Sequence, residues 1–90
     1  MHGEYKTPGG KLVVADFEVR DGRLTEVRIS GDFFLYPEEA LAAINASLCG
    51  ASVGESKLAE QITAALPPGT ELFGITPEAV AEAIRRGLAG

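Results

Sequence analysis

A chain of 90 residues, 46% hydrophobic and 23% charged, can bury roughly 60–65% of the surface its unfolded form exposes, enough for one core but not for a core plus a deep substrate cleft. Its net charge of −5, with eight Lys and Arg of which only Arg85 and Arg86 are adjacent, makes it a poor candidate for nucleic acid, because phosphate neutralisation needs grouped cations. The single cysteine, Cys49, excludes an internal disulfide and a multi-thiolate metal site. No apolar run approaches the ~18 residues of a membrane-spanning helix.

Residues 1–10 read as one exposed lead-in, with no signal-peptide core and with Pro8-Gly9-Gly10 discouraging regular structure. The chain is expected to be cytoplasmic. Residues 11–20 alternate Val13, Ala15, Phe17 and Val19 against Asp16, Glu18 and Arg20, the pattern of a half-buried strand. Residues 23–30 repeat it, with Thr25, Val27 and Ile29 on one side and Leu24, Glu26, Arg28 and Ser30 on the other. Asp21-Gly22 signals a hairpin between them. A two-residue loop would place Phe17 opposite Glu26. A three-residue loop over Arg20-Asp21-Gly22 places Phe17 opposite Thr25 and Ala15 opposite Val27, keeping both apolar sets on one face. Burial favours the three-residue loop.

After the corner Gly31-Asp32-Phe33-Phe34-Leu35-Tyr36, Pro37 suits the first position of a helix, and Glu38 and Glu39 suit its first turn. Leu41, Ile44 and Leu48 form its apolar stripe, and it should end near Cys49-Gly50. A capping box, Ser52 with Glu55, opens a second helix; Leu58, Ile62 and Leu66 are its buried stripe, and Pro67-Pro68-Gly69 stops it. Residues 70–75 are extended and fit a short edge strand. Thr76 caps a third helix with Pro77 at its first position, stapled by Ile75 and Val80 and continued by Ile84 and Leu88. The expected fold is a single α+β domain over 1–90: an antiparallel β-hairpin, with a short edge strand, covered by three helices. A hairpin alone is marginal in water, so the helices must cover it. The expected core is Val13, Phe17, Val19, Val27, Ile29, Leu41, Ile44, Leu48, Leu58, Ile62, Val80 and Ile84.

The chain offers no nucleophile–base pair. His2 sits in a terminus expected to fray. Cys49 reads as a buried small hydrophobe. Asp16, Glu18 and Glu26 lack a further ligand and read as a solvated face. Gly9-Gly10-Lys11 is a fragment of a phosphate-binding loop followed by a strand instead of a helix; it reads as flexible punctuation, with Lys11 free to offer a charge to an anion on a partner. Asp32-Phe33-Phe34 supports two readings. One is a corner plug in which Asp32 bonds backbone N–H groups; the other is an exposed aromatic anchor for another protein.

Three segments carry a resemblance: Glu4-Tyr5-Lys6-Thr7-Pro8-Gly9-Gly10-Lys11-Leu12-Val13, then Asp21-Gly22-Arg23-Leu24, then Ile29-Ser30-Gly31-Asp32-Phe33-Phe34-Leu35-Tyr36-Pro37. Together they resemble the C-terminal accessory domain of lipoate–protein ligases, which some organisms carry as a separate small subunit. A chain of 90 residues opening on methionine fits that split arrangement. The resemblance implies a non-catalytic subunit that docks onto the catalytic chain of the ligase. There it would support ATP-dependent activation of lipoate to lipoyl-adenylate, for transfer to a lysine of lipoyl-domain proteins. ATP, Mg²⁺ and lipoate would be bound through the partner and none by this chain alone. Gly10, Lys11, Asp32, Phe33 and Phe34 are the candidate partner-docking or substrate-side residues; no catalytic or metal-binding residue is assigned. The fold is also similar to that of iron–sulfur scaffold proteins, but those use three cysteines. A stand-alone protein- or small-molecule-binding adaptor is the alternative, and a sulfur-transfer relative acting through Cys49 is a third. The choice between lipoate and octanoate stays open.

Overall fold

The computed structural model describes residues 1–9, 11–53 and 57–89. Its central feature is the hairpin at Asp21-Gly22, joining β2 (Leu12–Arg20) to β3 (Arg23–Gly31). Both loop residues have positive φ, 54° and 74°, the geometry whose twist matches that of paired strands. Arg20 lies opposite Arg23 and Val19 opposite Leu24, so the loop has two residues, not the three that burial suggested. A β-bulge removes the conflict. The register shifts between Asp16 and Glu18, and beyond the shift Ala15 lies opposite Ile29. Glu26 takes a positive φ of 52°, and with Val27 it faces Phe17, two residues against one. The extra residue reverses the parity of β3. Leu24 before it and Val27 and Ile29 after it are therefore all buried, whereas simple alternation put Leu24 on the solvent side.

Residues 1–10 are not one exposed lead-in. His2–Lys6 form β1, antiparallel to β2 with His2 opposite Asp16 and Lys6 opposite Leu12, giving a three-stranded sheet in the order β1-β2-β3. The buried inward residue is a glycine. A Cβ on Gly3 would fall 1.9 Å from the Ala83 carbonyl oxygen and 2.5 Å from the Gly87 nitrogen. Backbone closeness thus replaces apolar bulk at this position, and hydrophobic alternation does not reveal the strand.

The segment after Gly31 forms β4 (Phe34–Tyr36), which pairs antiparallel with β5 (Glu71–Phe73) in a separate two-stranded sheet. The expected edge strand at 70–75 is therefore present, and its partner is the aromatic corner itself. Helix α1 spans Glu39–Leu48. Pro37 stands in the bend before it, so it is not the first helical residue; Glu38 occupies the N-cap. The buried stripe is Ala40, Ile44 and Leu48, while Leu41 is only half-buried. Cys49 follows the last helical residue and is exposed, not the buried small hydrophobe expected; the stripe at 40, 44 and 48 faces the core and the chain leaves the helix at Cys49.

Helix α2 spans Leu58–Ala65, with Lys57 at the N-cap and no side-chain capping bond. The helix thus starts later than the expected box at Ser52, whose backbone bridges Arg23. Around it the Leu24 N–H donates to the Ala51 carbonyl (2.8 Å), the Gly50 N–H to the Leu24 carbonyl (2.7 Å) and the Val53 N–H to the Gly22 carbonyl (2.9 Å). Glu55, the other half of the box, lies outside the described residues. These bonds, with that from the Ile29 N–H to Asn45 Oδ1 (3.0 Å), cover the free edge of β3, which would otherwise offer unpaired backbone to another chain. Helix α3 spans Pro77–Ala89. Thr76 caps it as expected, accepting from the Ala79 N–H at 3.0 Å, and Ile75 and Val80 are both buried.

One helix layer covers one face of the sheet: α3 lies on β1 and β2, α1 on β3, and α2 packs against both helices. Ten of the twelve expected core residues are buried, and Val19 and Leu41 pack half-buried at the margin. The domain is α+β, with the three expected helices, one strand more on the hairpin and a small second sheet.

Candidate docking site at the aromatic corner

The Gly31-Asp32-Phe33-Phe34 corner divides four duties among four residues. At Gly31, φ is 151° and an added Cβ would lie 2.1 Å from the Leu12 carbonyl oxygen; only glycine lets β3 approach β2 this closely at its end. Asp32 then locks the corner to β2. Its Oδ1 accepts from the Leu12 N–H at 2.7 Å, while its own N–H donates to the Leu12 carbonyl at 3.3 Å. The Phe33 ring lies over Gly31, with ring carbons 3.0 Å from where a side chain would begin, and packs half-buried against the core. Phe34 points outward and is 62% exposed.

The corner is thus both a plug and a presented surface. Asp32 and Phe33 do the plugging, as the backbone-bonding reading required. Phe34 is presented, and the second sheet supplies its neighbours. Pairing places Phe34 opposite Phe73 and Tyr36 opposite Glu71, with the two phenylalanine rings 6.1 Å apart and tilted by 50°, a favourable aromatic geometry. Leu35 between them is buried and Leu72 half-buried, so the ribbon keeps its inner side in the core and its aromatic side outside. Phe73 was not singled out in the sequence. The signal was there in Glu71-Leu72-Phe73, an alternation with an outward aromatic, but its pairing with residues 34–36 was not legible.

Lys11 reaches the same region from just before β2. Gly74, the residue after Phe73, has φ of 80°, and the Lys11 side chain runs over it: Cγ lies 2.5 Å from the position a Gly74 Cβ would take. A side chain at 74 would displace the Lys11 stem. Lys11 is exposed. Four of the five candidate residues, Lys11, Asp32, Phe33 and Phe34, therefore meet along one end of the molecule, and Gly10 lies outside the described residues.

The other candidate groups lie elsewhere. His2 does not fray: its Nδ1 is 2.6 Å from Asp16 Oδ1 and its Nε2 2.7 Å from Glu4 Oε2. The hydrogen bond to Glu4, then that to Asp16, raises its pKa above the ordinary 6.5. Glu82 on α3 is bonded by Arg85 and by Arg86, which hold its pKa down at about 2; Arg86 also stands over the Tyr5 ring at 4.8 Å. Among the described residues no three His, Cys, Asp or Glu side chains converge as a metal site, and no helix is long and apolar enough to cross a membrane.

These features define a small α+β domain whose distinguishing surface is an aromatic ribbon at one end. No family profile matches the chain, and no curated protein matches it. A solved structure does. The chain is similar to one from the archaeal lipoylation system of Thermoplasma acidophilum, a bipartite lipoate protein ligase and its E2 lipoyl domain, with 27% identity and a TM-score of 0.73. The likeness covers 94% of this chain and 98% of that one, so it runs end to end between chains of similar length. It agrees with the resemblance carried by residues 4–13, 21–24 and 29–37: the chain resembles the small accessory subunit of a two-chain lipoate–protein ligase.

Proposed function

We propose that this chain is the non-catalytic accessory subunit of a lipoate–protein ligase. It docks onto the catalytic chain and supports ATP-dependent activation of lipoate to lipoyl-adenylate, which the catalytic chain passes to a lysine of a lipoyl-domain protein. The end-to-end structural likeness to a chain of a bipartite ligase system carries this reading. ATP, Mg²⁺ and lipoate are assigned to the partner on the strength of the resemblance to a two-chain ligase.

The physical contribution of such a subunit is order. Adenylation builds negative charge at a phosphate, which preorganised donors stabilise best where water is excluded. A rigid domain seated over the catalytic chain restricts that chain's loops and closes the site. Lys11 is the cation this chain can extend from the docking end. The test is a lipoyl-adenylate assay of the catalytic chain with and without this chain. Adenylation from free lipoate and ATP should rise at least tenfold on mixing, while transfer from preformed lipoyl-adenylate should change little. A catalytic chain that adenylates equally well alone would refute the assignment.

A further inference from the structure

We propose that the outer face of the β4–β5 ribbon, formed by Phe34, Tyr36 and Phe73 with Glu71 beside them, is the contact surface for the catalytic chain, and that it seats in an apolar socket with a basic rim. This rests on the subunit reading above and moves the docking residues: Phe33 is withdrawn, and Tyr36, Glu71 and Phe73 are added.

Exposure singles out the surface. Phe34, Tyr36 and Phe73 are 62%, 63% and 52% exposed, whereas Phe17 is 2% exposed. A large aromatic can bury roughly 150–250 Å², so these three still offer on the order of 300 Å² as one patch. That matches the largest apolar patch of a typical monomer, roughly 300–600 Å² and often functional. The face is also built. Phe34 and Phe73 touch across the ribbon, and Leu35 and Leu72 fix it from beneath. Aromatic side chains held in place lose little freedom on binding, the property that makes them interface hot spots.

Charge selects the occupant. Glu71 stands opposite Tyr36 within the face. Asp32 is exposed just before β4, and Glu38 and Glu39 are exposed just after it. Against these four carboxylates stands the single ammonium of Lys11, whose stem runs over Gly74. A second copy, itself carrying a net charge of −5, would set carboxylates against carboxylates, which is unfavourable at an interface. The patch also falls well short of the ~800 Å² per partner of a stable interface. It therefore acts as the centre of a larger contact with a different, basic-rimmed chain.

The test measures binding of the full chain to the catalytic chain of the same organism's lipoate–protein ligase by titration calorimetry, with association rates followed by stopped flow. The double variant Phe34→Ala, Phe73→Ala should raise Kd at least thirtyfold, with its circular dichroism spectrum unchanged. Tyr36→Ala, which leaves the Phe34–Phe73 contact in place, is the second probe and should raise Kd about fivefold. Glu71→Lys should slow association several-fold at low salt, with the difference vanishing at high salt. Arg85→Ala, on the exposed side of α3, should change nothing. If the parent chain binds and both aromatic variants bind within twofold of it, the surface is wrong while the subunit reading stands. If the parent chain does not bind the catalytic chain, the subunit reading falls and takes this inference with it. Self-association of the parent chain that Phe73→Ala abolishes would overturn the choice of occupant.

Discussion

Replacing Gly3 with alanine places a methyl group where β1 touches α3. The new Cβ would stand 1.9 Å from the Ala83 carbonyl oxygen, 2.5 Å from the Gly87 nitrogen and 2.9 Å from the Gly87 Cα. Relief to about 3 Å, the lower limit of real Cβ contacts, needs the strand and helix to part by about 1 Å. None of these neighbours is the free end of a side chain. The helix cannot yield locally either, because the Phe17 ring already lies 2.8 Å from the Cβ position of Gly87. Overpacking costs about 1–3 kcal/mol, and backbone obstacles put Gly3→Ala at the upper end, about 3 kcal/mol. A domain of this size is stable by roughly 5–15 kcal/mol, and 1 kcal/mol moves its Tm by about 4–8 °C, so Tm should fall by at least ~12 °C. Urea denaturation and thermal circular dichroism would measure it. Gly22→Ala is the control: its Cβ meets nothing within 4 Å, and only the left-handed backbone, φ 74°, opposes it, at about 1–2 kcal/mol. If Gly3→Ala unfolds within 0.5 kcal/mol of the parent chain or costs no more than Gly22→Ala, the close approach of β1 and α3 does not hold the fold as argued.

Three further predictions address the register, the corner and the terminus. Leu24→Ala should cost about 2–5 kcal/mol in urea unfolding, as for a fully buried leucine; a three-residue hairpin loop would leave this side chain in solvent and the change within about 0.5 kcal/mol. Asp32→Ala removes the acceptor for the Leu12 N–H and should cost about 1 kcal/mol, the bond being exposed, with faster hydrogen exchange at Leu12 as its specific mark. His2 has a folded pKa raised above 6.5 by Glu4 and Asp16; its contribution to stability is therefore complete below about 6.5 and is lost as pH rises through the folded value. Urea midpoints across that window, paired with a proton NMR titration of His2, should show this trend in the parent chain and lose it in His2→Gln.

Elements with a strong local code were legible. Thr76-Pro77 with the Ile75–Val80 staple announced α3, Pro67-Pro68-Gly69 ended α2, and Asp21-Gly22 announced the hairpin. The failures came where local code and burial conflicted, or where glycine stood in for an apolar side chain. For the hairpin, turn chemistry demanded two residues and alternation demanded three. The bulge at Glu26 satisfied both, and a bulge leaves little trace in a period-two pattern. For β1, Gly3 supplied closeness without hydrophobicity. Around Ser52, residues 50–53 bond along the edge of β3, a tertiary demand that local spacing does not carry.

The same division explains why the residues of the proposed docking surface were half visible. Asp32 and Phe33 stood out because the corner needs them: one bonds the Leu12 N–H and the other lies on Gly31. Residues fixed by a backbone geometry leave a compact motif in the sequence. Phe34 and Phe73 are fixed instead by a cross-strand contact between segments nearly forty positions apart, and no spacing rule joins them. A substitution at Asp32 or Phe33 should therefore act first on stability, and through it on binding. One at Phe34 or Phe73 should act on binding with stability nearly unchanged, because their rings are more than half exposed and exposed substitutions seldom exceed about 0.5 kcal/mol. Measuring both quantities on both pairs separates the residues that build the corner from those that use it.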